Sequence, residues 1–239
     1  MKTHLLILAT VAALAAPQSL CAQTVKVAPE IATKGIELSE VTISQDVNKG
    51  DDGSEPSADL RVIAKVTNRA DRSLVQPVFE LRLAPAPLGD AAQRFATAAA
   101  LNPGESVIAV IGTLSLTEAQ LRAAKTVTVD LIGDPFAHAG WDRQLKFRSS
   151  MTFTDTSFRF SPANHMAGVK GSFQNRSGIQ IKRVQGTAIF RDAEGRLLDA
   201  GPFSYTAGQD KENEMWVGYE MPGFVKAKTC VLQVDSFEE

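Results

Sequence analysis

The chain has 239 residues, a formal net charge of −2 and 44% hydrophobic residues. This length is enough for one large domain or two small ones. A nucleic-acid-binding domain normally carries clustered lysine and arginine on a strongly basic surface, and this mildly acidic composition therefore predicts no nucleic-acid partner.

The N-terminus has the three-part layout of a secretory signal peptide. Lys2 supplies the basic start, and an uncharged apolar run follows over residues 5–16. That run is shorter than the roughly 20 residues that a membrane-spanning helix needs. Because small Ala22 suits signal-peptidase cleavage, we predict a signal peptide over residues 1–22 and a periplasmic or secreted mature chain without a transmembrane segment.

Cys21 leaves one alternative for the localisation. Bacterial lipoproteins are cleaved immediately before a cysteine that then carries the lipid. Their signals place a small residue before that cysteine, whereas Leu20 occupies the position here. Export as a cleaved, lipid-free protein is therefore the prediction, and a lipoprotein attached through Cys21 is the alternative.

The mature chain keeps a single cysteine, Cys230, which excludes an intramolecular disulfide. Its neighbours Val231, Leu232 and Val234 are apolar, which is typical of a buried strand. We therefore predict that Cys230 is a small buried side chain in the last strand.

Alternating apolar residues predict the strands of the first half. After a polar N-terminal extension, predicted strands lie at residues 36–43, 60–66, 78–83, 106–114 and 126–132. The continuous apolar run within residues 106–114 predicts that this strand is fully buried. The sequence Ser115-Leu-Thr-Glu118 has capping-box spacing and predicts a short helix that ends at Ala124. Glycine, proline and acidic residues predict an exposed loop from Asp46 to Asp59. Its oxygen ligands do not follow the spacing of an EF-hand, which favours a solvated loop over a calcium site. Whether the loop binds an ion stays open.

The second half repeats this order of strands. Its predicted strands lie at residues 151–160, 168–174, 184–190, 214–219 and 229–234. Residues 62–69 can be laid over residues 169–176, and the same offset matches Leu83 with Phe190. The alignment predicts that equivalent faces are buried in both halves, with these side chains inside: Val62, Val66, Leu81, Leu83, Val169, Phe173 and Phe190.

Short strands separated by glycine, proline and asparagine turns within about 100 residues are typical of an immunoglobulin-like sandwich. The predicted fold is therefore all-β, with two tandem immunoglobulin-like antiparallel β-sandwiches and a short helix in the first. We place the first domain, with its N-terminal extension, at residues 23–148 and the second at residues 149–239.

Two motifs of the second half carry a family resemblance. They are Val169-x-Gly171-x-Phe173-x-Asn175-x-Ser177 and Ala188-Ile-Phe-Arg-Asp192-Ala-Glu-Gly195. They resemble the strand-and-turn patterns of the FxLYD-type domain, an immunoglobulin-like module of exported bacterial proteins, although Ala188 and Arg191 replace its aromatic residues. The first half is similar only through the internal repeat. The resemblance implies an immunoglobulin-like fold and no catalytic residues.

The polar residues that these motifs share with the family pattern also have a folding explanation. Asp192 and Gly195 suit the turn of a hairpin, and Asn175 suits a hydrogen bond to its own backbone at a strand end. We therefore predict that they set turns.

Patterns for catalysis and metal binding are missing from the sequence. His138 and His165 are the histidines of the mature chain, and neither lies in the spacing of a zinc site. Serine-nucleophile motifs and phosphate-binding glycine loops are missing as well. We therefore expect a non-enzymatic protein with no cofactor and no bound metal.

The segment from Asp134 to Asp142 joins the two halves and contains the aromatic residues Phe136 and Trp141. Two interpretations stay open: the aromatic side chains seal the contact between the domains, or they form part of a binding cleft. Exposed tryptophan is a common anchor of protein interfaces. Trp141, with Phe136 beside it, is therefore the predicted binding residue.

These observations predict an exported, non-enzymatic envelope protein that binds or spaces another envelope or surface protein through its tandem sandwiches. A periplasmic fimbrial-type chaperone has a similar size, but the strand at residues 126–132 is short for a donor strand. A hydrolase of surface polymers would need two carboxylates about 5 to 10 Å apart. The identity of the partner and the oligomeric state stay open.

Mass spectrometry of the protein isolated from the envelope or the medium tests the predicted export. Cleavage after Ala22 should leave Gln23 as the first residue. Ala22→Arg should block processing because the cleavage position takes only small residues, whereas the control Ala22→Ser should be processed normally. A lipid-modified Cys21 would contradict the prediction.

Overall fold

The computed structural model describes residues 24–27, 31, 34–48, 57–84, 93–97, 100–136, 140–161, 166–208, 215–218 and 226–239. Most of these residues lie in β-strands that form several sheets, so the predicted all-β, sandwich-like fold is confirmed. Among them, no helix has the length and apolar character needed to cross a membrane.

The strands of the first half are β1 (Thr24–Val27), β2 (Ile36–Asn48), β3 (Ser57–Asn68), β4 (Leu74–Val75), β5 (Val78–Ala84), β6 (Gln93–Ala96), β7 (Ala100–Leu101), β8 (Ser106–Thr117) and β9 (Thr126–Ile132). Those of the second half are β10 (Met151–Ser161), β11 (Met166–Asn175), β12 (Arg183–Arg191), β13 (Leu197–Thr206), β14 (Met215–Gly218) and β15 (Thr229–Glu238). Helix α1 (Glu118–Ala123) lies between β8 and β9. Helix α2 (Asp142–Phe147) and a 3-10 turn (Arg148–Ser150) precede β10.

Four sheets form the main layers, and we name them by position. Outer sheet 1 has the strand order β1-β9-β5-β6, and inner sheet 1 has the order β2-β3-β8. Inner sheet 2 has the order β13-β12-β15, and outer sheet 2 has the order β10-β11-β14. Neighbouring strands in these sheets are antiparallel, except that β1 runs parallel to β9.

An apolar core lies between the two sheets of each half. In the first half, Val62 and Val66 of β3 face Leu81 and Leu83 of β5. In the second half, Val169 and Val217 of outer sheet 2 and Ala188, Phe190 and Leu232 of inner sheet 2 form the core. These side chains are all buried, as was predicted for Val62, Val66, Leu81, Leu83, Val169 and Phe190.

Phe173 departs from that prediction because it is only partly buried. It packs at the end of the second core, with its ring centroid 5.2 Å from Phe153 and 5.2 Å from Tyr205. Phe153, Phe173 and Tyr205 are all partly buried, so this aromatic cluster lies at the margin of the core.

The two sandwiches stack through their inner sheets. Ile63 and Ile108 of inner sheet 1 pack against Ile189, Leu197 and Ala200 of inner sheet 2. The layers therefore follow one another as outer sheet 1, inner sheet 1, inner sheet 2 and outer sheet 2. Strands at the centre of the stack are buried on both faces, as the continuous apolar run over residues 106–114 predicted for β8.

The two halves share one topology. Strands β2-β3-β8 correspond to β10-β11-β14, and β9-β5-β6 correspond to β15-β12-β13. The first strand of each half also has a bulge with a residue at positive φ, which is Glu40 (47°) in β2 and Asp155 (52°) in β10. A left-handed backbone at a non-glycine residue is uncommon, so its recurrence at equivalent places supports the internal repeat.

Asn68 and Asn175 end equivalent strands with the same turn. In each case Oδ1 accepts a hydrogen bond from the amide two residues later, at 3.1 Å and 2.9 Å respectively. Nδ2 donates to the carbonyl oxygen four residues later, at 2.8 Å in both turns. The predicted bond between Asn175 and its own backbone is thus confirmed.

Asp192 shapes the hairpin between β12 and β13, as predicted. Its Oδ1 accepts hydrogen bonds from the amides of Glu194 at 3.0 Å and Arg196 at 2.8 Å. Gly195 adopts a φ of +78°, which a side chain would strain.

The predicted helix starts two residues later than its capping box suggested. Thr117, rather than Ser115, is the N-cap, and its side chain accepts from the Gln120 amide while the Gln120 side chain accepts from the Thr117 amide. Ser115 stays in β8 because the ladder with β3 continues through it. Strand pairing therefore prevailed over a local capping signal.

The predicted loop from Asp46 to Asp59 is shorter than expected. Strand β2 extends to Asn48 and β3 begins at Ser57, so that Asp46 and Asp59 are paired across the hairpin. Ladder hydrogen bonds therefore prevail over the polar composition at both ends. Residues 49–56 lie outside the described part of the chain.

Five of the described strands were absent from the sequence prediction: β1, β4, β6, β7 and β13. The polar extension contains β1, which adds to the edge of outer sheet 1 beside β9. Strand β13 was missed because Gly201 and Pro202 disfavour strands, but it is an edge strand, where proline is tolerated.

We expect Phe190→Ala to lower the free energy of unfolding by about 3 to 5 kcal/mol, because the ring is 1% exposed in the second core. The matched control is Val231→Ala on the neighbouring strand, whose side chain is 51% exposed. Its effect should stay within about 0.5 kcal/mol. Urea denaturation measures both values, and equal small losses would contradict the assigned core.

Candidate functional site

Hydrogen bonds and an ion pair lie beside the apolar contact between the inner sheets. Arg61 Nη1 lies 3.4 Å from Asp199 Oδ1 and donates to the Ala200 carbonyl oxygen at 3.2 Å. The Asp199 side chain is 1% exposed, so this ion pair is shielded from solvent. Thr42 donates to the Leu197 carbonyl oxygen at 3.0 Å. These bonds position β13 on inner sheet 1.

Gln233 connects the two inner sheets through its side-chain amide. Its Oε1 accepts from the Ile108 amide at 2.8 Å, and its Nε2 donates to the Ile108 carbonyl oxygen at 2.9 Å. The side chain thus satisfies both backbone groups of a residue on β8, which is an edge strand. The same Nε2 donates to Asp235 Oδ1 at 2.6 Å.

The linker between the halves adds a second set of connections. The Gln144 amide accepts from the Phe237 backbone amide at 3.2 Å and donates to its carbonyl oxygen at 2.7 Å. The next residue, Leu145, accepts from Asn102 Nδ2 at 2.9 Å. Helix α2 therefore contacts both sandwiches.

A cleft of about 660 Å³ opens beside the contact between the inner sheets. Its wall comprises the β6 residues Phe95 and Ala96 with Thr97, and Val110 of β8. Strands β3, β12, β13 and β15 complete the lining, and apolar surface predominates. The volume lies within the range of ligand sites, which is about 300 to 1,000 Å³.

Among the described residues, one carboxylate side chain lines this cleft. It belongs to Asp235, which is 5% exposed. Its Oδ2 accepts from the Thr187 hydroxyl at 2.5 Å, while Gln233 donates to Oδ1. Burial raises the pKa of Asp235 from the ordinary 3.8 to about 6, although both hydrogen bonds and the charge of Arg148 act in the opposite direction. Its charge state therefore changes near neutral pH.

The nearest cations already have carboxylate partners. Arg148 Nη2 lies 2.6 Å from Glu105 Oε2, and Arg148 Nη1 donates to the Val234 carbonyl oxygen at 3.4 Å. Arg61, which also lines the cleft, pairs with Asp199. Within the described chain, Asp235 itself forms no ion pair.

Thr97 supplies an unsatisfied hydroxyl group at the cleft. The residue is 4% exposed, and its Oγ1 has no hydrogen-bond partner among the described residues. A buried polar group without a partner costs about 1 to 3 kcal/mol. A ligand that bonds this hydroxyl would recover part of that cost.

Gly186 allows the close packing behind Asp235. A Cβ atom at this position would lie 2.1 Å from the Gln233 carbonyl oxygen and 2.5 Å from Cζ of Phe203. The missing side chain lets the aromatic ring lie against β12, which forms part of the cleft wall. Any larger residue here would displace the ring or β15.

The aromatic residues predicted from sequence lie in the linker, and neither lines the cleft. Phe136 is half-buried, bridges to Leu74, and has the Arg72 guanidinium 4.6 Å from its ring centroid. Trp141 precedes α2 and is also half-buried. Their binding role stays a prediction.

Cys230 is buried, as predicted, and burial raises the pKa of its thiol to about 12. His138 and His165 lie outside the described residues. Within the described residues, no cluster of His, Cys, Asp and Glu side chains is suited to hold a metal ion.

Sequence analysis missed Gln233 and Asp235 because they occupy alternate positions of the last strand, where polar residues predict a solvent-exposed face. The structure covers that face with inner sheet 1. One signal was present: the buried-strand pattern of residues 106–114 requires a second sheet to cover its other face.

No family model, curated protein or solved structure matches this chain. The resemblance to the FxLYD-type domain therefore stays a prediction.

Between pH 5 and pH 7 we expect the free energy of unfolding to fall by about 1 kcal/mol through Asp235. A pKa raised to about 6 means that the folded state binds this proton more tightly than the unfolded state, so stability is lost as pH rises. Glu80 and Asp192 have lowered pKa values, and their contributions change below this range.

Asp235→Asn should abolish this loss, because an amide preserves the geometry without a charge. Asp71→Asn, at an exposed aspartate, controls for the removal of one negative charge. Urea denaturation at pH 5, 6 and 7 measures the three proteins. An unchanged pH dependence in Asp235→Asn would contradict the assignment.

Proposed function

We propose that this chain is an exported, non-enzymatic binding protein of the cell envelope, and that the cleft between its two sandwiches is the binding site. The observation that carries the proposal is the cleft itself. It is concave, largely apolar and about 660 Å³ in volume, and a few polar groups converge on it.

The chemistry of the lining favours binding over catalysis. General acid–base catalysis usually requires two groups held in mutual reach, and a hydrolase of surface polymers would use paired carboxylates. In the described lining, Asp235 stands without a second carboxylate. The Cys230 thiol, with a pKa of about 12, is a poor nucleophile.

The topology favours this proposal over a fimbrial-type chaperone. Donor-strand exchange needs a strand with a free edge. The candidate donor, β9, is paired with β1 on one side and β5 on the other. It would have to leave outer sheet 1 before it could pair with another protein.

A partner protein anchored by Trp141 remains the hypothesis that the sequence suggested. The cleft supports a small ligand more strongly, because concave sites of this size bury most of a small molecule, whereas protein interfaces are broader and flatter. The ligand would contact Asp235, Thr97 and the apolar wall.

Blocking the cleft tests the proposal. Ser204 is exposed on β13 and lines the cleft, so Ser204→Trp should fill it without disturbing a core. Thr206 lies two residues further along the same strand, is exposed and does not line the cleft, which makes Thr206→Trp the matched control.

A fragment screen followed by amide NMR should find ligands that shift Thr97, Val110 and Thr187 in the wild-type protein. Ser204→Trp should weaken their binding about ten-fold or more, and Thr206→Trp should leave it unchanged. Ligands that map to other surfaces, or equal binding by both variants, would contradict the proposal. Thermal unfolding confirms that each variant is folded.

A further inference from the structure

The charged side chains around the cleft form ion pairs, except for Asp235. Arg61 is paired with Asp199, and Arg148 is paired with Glu105. Within the described part of the chain, Asp235 receives side-chain hydrogen bonds from the neutral groups of Thr187 and Gln233 and from no cation. When Asp235 ionises, no cation in the described lining is hydrogen-bonded to its carboxylate, so its negative charge has no direct partner.

Burial makes that charge costly without a cation. Asp235 is 5% exposed and lies between two packed sheets, where water stabilises a charge weakly. Arg148 acts on it through space, but the guanidinium is held by Glu105 and the Val234 carbonyl oxygen. The carboxylate oxygens each accept one hydrogen bond and have capacity for another.

The rest of the lining is largely apolar. Phe95 presents an aromatic ring, and Val110 and Pro202 add aliphatic surface. An aromatic face attracts cations, and apolar surface favours a hydrocarbon body. Nearby Thr97 has a hydroxyl group free to bond a polar substituent.

We propose that the ligand of the cleft is a small organic amine, whose ammonium group pairs with Asp235 while its apolar body packs against Phe95 and Val110. This inference rests on the proposed binding function. It assigns the chemical class of the ligand and makes Asp235 the residue that determines specificity.

An anionic ligand fits this lining poorly. Arg61 is the cation that lines the cleft, and Asp199 already compensates its charge. A carboxylate or phosphate would also approach Asp235, and two negative charges at short range repel each other. A neutral ligand would leave the ionised form of Asp235 uncompensated.

Three probes of nearly the same shape test the inference: phenethylamine, 2-phenylethanol and phenylacetate. At pH 7.5 phenethylamine should bind the wild-type cleft about ten-fold or more tightly than 2-phenylethanol, because an ion pair with a buried carboxylate exceeds a neutral hydrogen bond. Phenylacetate should bind most weakly. Amide NMR reports both the affinity and the location.

Asp235→Asn should remove the preference for the amine, so that the variant binds phenethylamine and 2-phenylethanol about equally. Its amide can donate to the Thr187 hydroxyl and accept from Gln233, so the wall is preserved. Asp71→Asn is the matched control and should keep the preference.

The dependence on pH supplies a test that needs no variant. Asp235 has a pKa of about 6, so about nine-tenths of it is protonated at pH 5. Binding of phenethylamine, which stays a cation throughout, should therefore be about ten-fold weaker at pH 5 than at pH 7.5. Binding of 2-phenylethanol should not change. The other charged groups around the cleft are Arg148, which acts on Asp235 and is paired with Glu105, and Arg61, which is paired with Asp199.

The outcomes separate this inference from the proposed function. Equal binding of the amine and the alcohol in the cleft, or a preference that survives in Asp235→Asn, would overturn the assignment to amines and leave the binding function standing. Tighter binding of phenylacetate would point to an anion and overturn it as well. Binding of none of the probes to the cleft at millimolar concentration would overturn both.

Discussion

Face-to-face packing of the two inner sheets holds the four layers in one stack. Ile63 and Ile108 on one side meet Ile189 and Leu197 on the other, and the buried pair of Arg61 with Asp199 lies beside them. Removing one member of such an ion pair leaves an uncompensated buried charge, so the pair restricts the relative position of the sheets more than it adds stability. The cleft exists because this contact covers only part of the facing surfaces.

The stack joins sheets that are not equivalent in the internal repeat. Inner sheet 1 corresponds to outer sheet 2, and inner sheet 2 corresponds to outer sheet 1. At the positions matched by the sequence alignment, Ile63 corresponds to Lys170, and Ile189 corresponds to Arg82. Apolar side chains therefore cover the two faces that meet, whereas charged side chains occupy the equivalent places on the outer faces.

The outer face of outer sheet 1 carries a cluster of charged side chains around Glu80. Glu80 is 3% exposed, but Arg82 and Arg94 cover it and donate hydrogen bonds to its carboxylate. The bonds from Arg94 and Arg82 lower the pKa of Glu80, so the cluster stays charged over most of the pH range. A face of this kind resists the sheet-on-sheet packing that occurs between the inner sheets.

Glutamine side chains protect the edges near the cleft. Gln233 satisfies both backbone groups of Ile108, and Gln144 does the same for Phe237. Unpaired backbone groups on an edge strand attract other strands, so a side-chain amide that occupies them blocks unwanted pairing. Because Gln233 also bonds Asp235, the same side chain orients the carboxylate that lines the cleft.

By itself, the sequence determined the all-β class, the repeated order of strands and most of the inward-facing residues. Apolar residues at every second position identify the buried face of a strand. The turns at Asn68, Asn175 and Asp192 follow from side-chain hydrogen bonds to backbone groups nearby in the chain. Strand ends, the helix cap and β1 departed from the prediction, because ladder pairing with distant strands decides where a strand stops.

Only the tertiary structure decided which polar faces are buried. Gln233 and Asp235 look like solvent-facing residues in the sequence, and they lie between sheets because residues about 125 positions earlier pack over them. A carboxylate pKa depends on that coverage and on the lack of a paired cation, which are properties of the assembled layers. The cleft and the class of its ligand are therefore consequences of how the two sandwiches stack, which strand periodicity does not encode.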